Sequence, residues 1–220
     1  MALRRAIDTG AGMRNVVMMG LAACLTWAGQ GSAQTSGDAS WTWSAQLSAS
    51  MVLNNSDWSI SHPTYAGSGV TWETFTGTFT QRAHLQGSVE VRKRYLGIRG
   101  TLGLLPQRFT QDAPARDDHL TLVLAGLAAV LYPAAGPGGD LQPYVLAGAG
   151  AQKATGDMDN TGFYLTGGAG VCLRLDARVA LDGGVQILRL KYTQIELDSG
   201  IAKDVRIHPL SLLVGVRIGP

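Results

Sequence analysis

From Trp41 onward the chain repeatedly alternates apolar and small polar side chains with a period of two, and nothing else in it constrains the fold as tightly. A period of two is the geometry of a strand with unlike faces, and it is incompatible with a helix over the same residues. Trp41 to Leu53 is the clearest case: Trp43, Ala45, Leu47, Ala49, Met51 and Leu53 share one face, and Thr42, Ser44, Gln46, Ser48, Ser50 and Val52 the other. Seven further segments follow, over 83–92, 96–104, 119–132, 143–152, 163–175, 179–192 and 209–218. Two details of phase are expected. Phe75 and Phe79 share the register of Ala83, so the second strand begins before it. The apolar set switches parity at Leu188, which a β-bulge would explain.

The connections alternate in length. Those over 54–82, 106–118, 153–161 and 193–206 are long, and the ones between are short or rich in Pro and Gly. Short turns at one end and long loops at the other are the asymmetry of an even-stranded transmembrane barrel. The polar face carries Ser, Thr, Gly and Gln more than charge. Only 15% of residues are charged, and the lysines (Lys93, Lys153, Lys191 and Lys203) fall in turns, loops or strand ends. Trp41, Trp43, Tyr95, Tyr132, Phe163, Tyr164 and Tyr192 cluster near strand ends, where interfacial girdles sit. The expectation is an all-β, eight-stranded antiparallel up-and-down transmembrane β-barrel with its apolar face in lipid. The competing reading is a soluble periplasmic β-barrel or sandwich with the same face turned inward.

Residues 1–33 read as a signal peptide: Arg4, Arg5 and Arg14, an apolar run from Val16 to Ala28, and small residues Gly31-Ser32-Ala33 before Gln34. Met13 is an alternative start, and Leu21-Ala22-Ala23-Cys24 an alternative lipidation site. A single domain is expected over 34–220. The net charge of +2 resides in the leader, and fifteen basic and fifteen acidic residues remain after it. A neutral chain has no global electrostatic attraction for nucleic acid.

Leu141-Gln142-Pro143-Tyr144-Val145-Leu146-Ala147-Gly148-Ala149-Gly150 resembles a glycine-rich strand of the OmpA/OmpX-like outer-membrane β-barrel family. Gly167-Gly168-Ala169-Gly170-Val171 with Leu173-Arg174-Leu175 and Val179-Ala180-Leu181-Asp182 resembles the hairpin after it, and Tyr95-Leu96-Gly97-Ile98-Arg99-Gly100 its third strand. The resemblance implies a monomer in the outer membrane of a Gram-negative bacterium. It also implies contact with outer-membrane lipid and lipopolysaccharide, insertion by the barrel assembly machinery, and no cofactor. The chain departs from the family by ending Arg217-Ile218-Gly219-Pro220 in place of a terminal aromatic.

Eight strands leave an interior that side chains fill. Glu90, Arg99, Arg174, Asp182 and Arg217 lie on the polar face, and the resemblance implies that they form an ionic network there. Trp58, Tyr65, Trp72 and Phe75 in the longest connection are candidates for contact with a surface ligand or host partner. An outer-membrane enzyme modifying lipid A would need a Ser–His–acid group. His208 and Ser211 come nearest, but a spacing of three puts them on opposite strand faces. No metal site and no catalytic site is expected.

Overall fold

The computed structural model describes residues 41–219 apart from 67–68, 113–114, 134–139, 158–159 and 198–199. The signal peptide, with Met13 and Cys24, lies outside the described residues. The described residues form eleven strands: β1 (Thr42–Val52), β2 (Ser56–Ala66), β3 (Gly69–Gln81), β4 (Ala83–Lys93), β5 (Leu96–Gln111), β6 (Arg116–Leu131), β7 (Leu141–Gly156), β8 (Asn160–Arg174), β9 (Val179–Leu197), β10 (Gly200–Ile207) and β11 (Leu210–Ile218).

These make eight barrel positions. β1, β4, β5, β6, β7, β8, β9 and β11 pair antiparallel in that order, and β11 returns to β1, from Ala45 opposite Ile218 to Val52 opposite Ser211. Closure leaves no strand edge in the wall, as lipid requires. β2, β3 and β10 continue β1, β4 and β11 beyond one rim, where β2 pairs β3 and β10 pairs β9. The connections over 106–118, 153–161 and 193–206, read from sequence as loops, are therefore largely strand. Their backbone groups continue the ladder as projecting hairpins, with β5–β6 pairing from Leu96↔Leu131 to Gln111↔Arg116.

The faces are assigned by burial. Along β11, Ser211, Leu213, Gly215 and Arg217 are buried, and Leu210, Leu212, Val214, Val216 and Ile218 are exposed. The same holds round the wall, where Leu47, Met51, Ile98, Leu102, Leu127, Val145, Leu165, Leu173, Val185 and Ile187 all face out. So continuous an apolar exterior is the belt of a membrane barrel. The soluble reading, which needs this face inward, does not fit it.

The phase expectations are reversed. β9 runs without a bulge: Asp182, Gln186, Leu188, Leu190 and Tyr192 are all buried, on one parity. The face is constant, and its chemistry turns apolar above Gln186. The parity change falls instead between β3 and β4. Phe79 and Gln81 are buried, Arg82 and Ala83 are exposed, and His84 is buried again. One extra residue at that point turns Phe75 and Phe79 into the interior, on the face opposite to Ala83.

The short turns at the other rim are tight. β4 and β5 join through Arg94 and Tyr95, with Arg94 at φ 53°. In the β8–β9 turn the Asp176 carboxylate accepts from the backbone N–H of Arg178 (2.6 Å) and of Val179 (2.8 Å). Those bonds favour the ionised form and hold Asp176 below the ordinary Asp range. The turn is thus stabilised above that range and loses the contribution as pH falls through it. Asp176→Ala is expected to speed amide hydrogen exchange at Arg178 and Val179 at neutral pH. The difference from the unsubstituted chain should fade in acid.

Candidate functional site: the barrel interior

The interior has two storeys. The lower one, near the short turns and the termini, is an ion-pair network built by register. Glu90 on β4 lies directly opposite Arg99 on β5. Arg99 donates to one carboxylate oxygen of Glu90 through Nε (2.9 Å) and Nη2 (2.7 Å). The other oxygen accepts from the Tyr132 hydroxyl (2.6 Å). From β11, Arg217 donates to that same hydroxyl (2.7 Å), to Asp182 Oδ2 (2.8 Å) and to Gln46 Oε1 (3.3 Å). Asp182 completes its shell by accepting from Tyr144 (2.6 Å).

Two cations and two carboxylates therefore neutralise each other across the lumen, tied by two tyrosines. Guanidinium planes lie against the same rings, with Arg99 5.1 Å from the Tyr144 centroid and Arg92 4.5 Å from that of Tyr132. Glycine makes this packing possible. A Cβ on Gly170 would sit 2.5 Å from the Tyr144 hydroxyl oxygen, so the bare Gly170 leaves the room in which the ring crosses β8, and a Cβ on Gly184 would crowd the same hydroxyl at 3.2 Å.

The upper storey is apolar. Phe75, Phe79, Leu105, Phe109, Leu120, Leu122, Leu188, Leu190, Tyr192 and Trp58 form one buried cluster. Its rings touch in a chain: Trp58 stacks on Phe109 at 5.2 Å, Phe109 meets Phe79 tilted at 5.0 Å, and Phe79 stacks on Tyr192 at 5.1 Å. The Tyr192 hydroxyl donates to Gln107. Between the storeys His84 is buried, and neither ring nitrogen has a hydrogen-bond partner. It borders a cavity of about 10 Å³ with Gln86, Thr101, Tyr164 and Gln186. A second cavity, of about 60 Å³, opens at the lower mouth beside Arg92, Cys172, Arg174 and Arg217.

The structure thus brings Glu90, Arg99, Asp182 and Arg217 together and leaves Arg174 out. Arg174 is the last residue of β8, exposed, and makes no ion pair with either carboxylate among the described residues. The network contains Tyr132, one of three tyrosines read from sequence as interfacial that the structure turns inward. Tyr132, Tyr164 and Tyr192 are buried in the lumen, whereas Trp41, Tyr95 and Phe163 are exposed. Tyr144 carried a signal in its inward parity on β7, and Tyr132 carried none, since it follows a strand apolar on both faces.

Trp58 and Phe75 are corrected more sharply: as candidates for surface contact they are buried, because inward parity continues past the rim into the stacked cluster. Tyr65 and Trp72 lie in the β2–β3 hairpin, where Tyr65 pairs with Val70 and Trp72 with Pro63; their side chains lie outside the described residues. His208 is exposed and Ser211 buried, so these two do not form a nucleophile–base pair. Among the described residues, no three His, Cys, Asp or Glu side chains converge as metal ligands.

An apolar exterior, a closed wall of eight positions and a polar lower lumen define a small barrel of the outer-membrane class. Solved structures of that class share the fold. Outer membrane protein OprG from Pseudomonas aeruginosa is 13% identical with a TM-score of 0.60, over 84% of this chain and 98% of that one. Outer membrane protein AlkL, in lipid bilayers, is 14% identical with a TM-score of 0.53, over 87% and 95%. Neisserial surface protein A is 18% identical with a TM-score of 0.51, over 80% and 96%. No family model and no curated protein matches the chain.

Proposed function

We propose that this protein is an integral outer-membrane barrel that is shut, and that it serves at the cell surface through its projecting hairpins without conducting or catalysing. One observation carries the reading: Arg99, Glu90, Arg217 and Asp182 span the lumen in a charge-balanced set of bonds of 2.7–2.9 Å. An eight-stranded lumen is narrow enough for such a set to fill. The apolar cluster above forms a second closure of different chemistry, which ions cross poorly. The hairpins extend beyond the lipid on a rigid wall, the usual place for recognition in a scaffold of this kind. The barrel is expected to give no steady current in planar bilayers, in low salt or high. A large, stable conductance from the purified chain would overturn the closed reading.

A further inference from the structure

The cavity at the lower mouth holds more hydrogen-bond donors than its own acceptors take up, and we propose that it binds a small oxyanion. The proposal rests on the outer-membrane reading above only for the compartment that the mouth faces. Short turns lie on the periplasmic side of such a barrel, so the ligand is a periplasmic anion.

Four arginines line the cavity, Arg92, Arg174, Arg178 and Arg217, against two carboxylates, Glu90 and Asp176. Arg92 and Arg174 arrive by inward parity near the ends of β4 and β8, two residues after the buried Glu90 and the buried Cys172. Register puts Arg174 and Arg217 in one ladder row, each opposite Ala180 on β9. Two strand spacings set their Cα atoms about 10 Å apart. The residue between them is an alanine, which leaves both long side chains room to reach the same space.

The two carboxylates are already committed. Glu90 accepts from Arg99 on one oxygen and from Tyr132 on the other. Asp176 accepts from two backbone N–H groups of its own turn. The arginines are not committed in the same way. A guanidinium carries five N–H donors. Arg92 gives one to the neutral Gln142 (2.9 Å) and lays its plane on Tyr132. Arg92, Arg174 and Arg178 make no ion pair among the described residues. Arg217 spends both terminal nitrogens on the network, and its Nε is buried without a partner. Since Arg99 and Arg217 balance Glu90 and Asp182, three remaining arginines face one remaining carboxylate, Asp176.

Surplus donors with surplus positive charge select an acceptor-only anion, and the guanidinium fork matches the oxygen spacing of a carboxylate or phosphate. Size agrees. The cavity of about 60 Å³ takes about four or five waters at roughly 10–15 Å³ each, the space of a tetrahedral anion such as phosphate. The site belongs to the lumen and not to the wall, because the neighbours Val91 and Leu173 are the residues that face out. That placement selects a free anion over a lipid headgroup, which would have to leave the bilayer and turn round the rim.

The test titrates inorganic phosphate into the full chain in phosphatidylcholine nanodiscs, with ionic strength held constant by chloride, and follows the arginine Nε–H signals by NMR. The signals of Arg92, Arg174 and Arg217 are expected to move together and to saturate. Arg108, held on the outer hairpins by Asp117 through two bonds (2.7 and 2.5 Å), should stay still. R92Q/R174Q is expected to weaken binding about tenfold or more, the scale of one charge-assisted hydrogen bond. Heat-dependent gel mobility scores the fold of each variant. If the double variant does not fold, R174Q alone makes the comparison, since Arg174 is exposed. Shifts that never saturate, or that Arg108 shares, mean an adventitious ion only and overturn the site. Affinity unchanged by the substitutions overturns it too. Signals that move only when phosphatidylglycerol is added to the nanodisc, with no free phosphate, give the donors to a lipid headgroup and overturn the free-anion assignment. A barrel that conducts but still shows saturable, arginine-dependent binding overturns the closed reading and leaves the site standing.

Discussion

Arg217→Ala is expected to destabilise the folded barrel by about 3–5 kcal/mol, the usual cost of removing one partner from a buried ion pair. Arg217 is the hub of the lower storey. It donates to Asp182, Tyr132 and Gln46 and lies 3.7 Å from Glu90. Without it, Asp182 keeps only the Tyr144 hydroxyl, and the lumen carries two carboxylates against Arg99 alone. Both carboxylates are deeply buried, with side-chain exposures of 0% for Asp182 and 4% for Glu90, so water cannot substitute cheaply. The control is to remove charge of both signs. R217M/D182L should lose much less than Arg217→Ala, because replacing a buried pair with apolar groups is often close to neutral. The measurement is equilibrium unfolding in denaturant from lipid vesicles. Equal losses in the two variants would show that Arg217 acts by packing and that the charge balance is incidental.

The parts of this architecture that were legible in the sequence are those governed by parity. The apolar face follows from alternation, since Leu212, Val214 and Val216 share one parity for the full strand, and its outward direction from the scarcity of charge on the other face and the alternation of long and short connections. Glu90 and Arg99 were legible as members of one inward set, whereas their direct pairing follows from the turn through Arg94 and Tyr95, which sets them opposite one another. Parity says which face a residue shares, but not at what height the interior changes character. The switch from Asp182 and Gln186 to Leu188, Leu190 and Tyr192 looks like a phase slip when the lumen is assumed polar throughout. It is the boundary between two storeys. The same assumption turned Trp58 and Phe75 outward, when inward parity had carried them into the buried apolar cluster. Arg174 failed for a related reason: it has the inward parity of its strand but lies below the level where the carboxylates sit. The register break at Arg82 left no mark in composition, because either phase gives a plausible strand.

Leu102→Arg is expected to cost about 2–4 kcal/mol of folding free energy in lipid vesicles, the range for an arginine facing the bilayer midplane. Leu102 sits within the outward series of β5, which runs from Leu96 and Ile98 to Leu104, and is 61% exposed. Its substitution separates the membrane barrel from a soluble one by magnitude. At an exposed site on a water-soluble wall, leucine to arginine falls within about 0.5 kcal/mol of neutral, having neither cavity nor lost partner. In lipid the guanidinium must leave water or drag water with it, and height decides the cost. Thr110→Arg supplies the internal standard. It lies eight residues further along β5 on the same parity, beyond the belt, where the cost should fall to about 0–1 kcal/mol. A steep difference between the two positions places the belt in hydrocarbon. Equal, near-zero effects would place Leu102 in water and leave the apolar exterior to be covered by another protein.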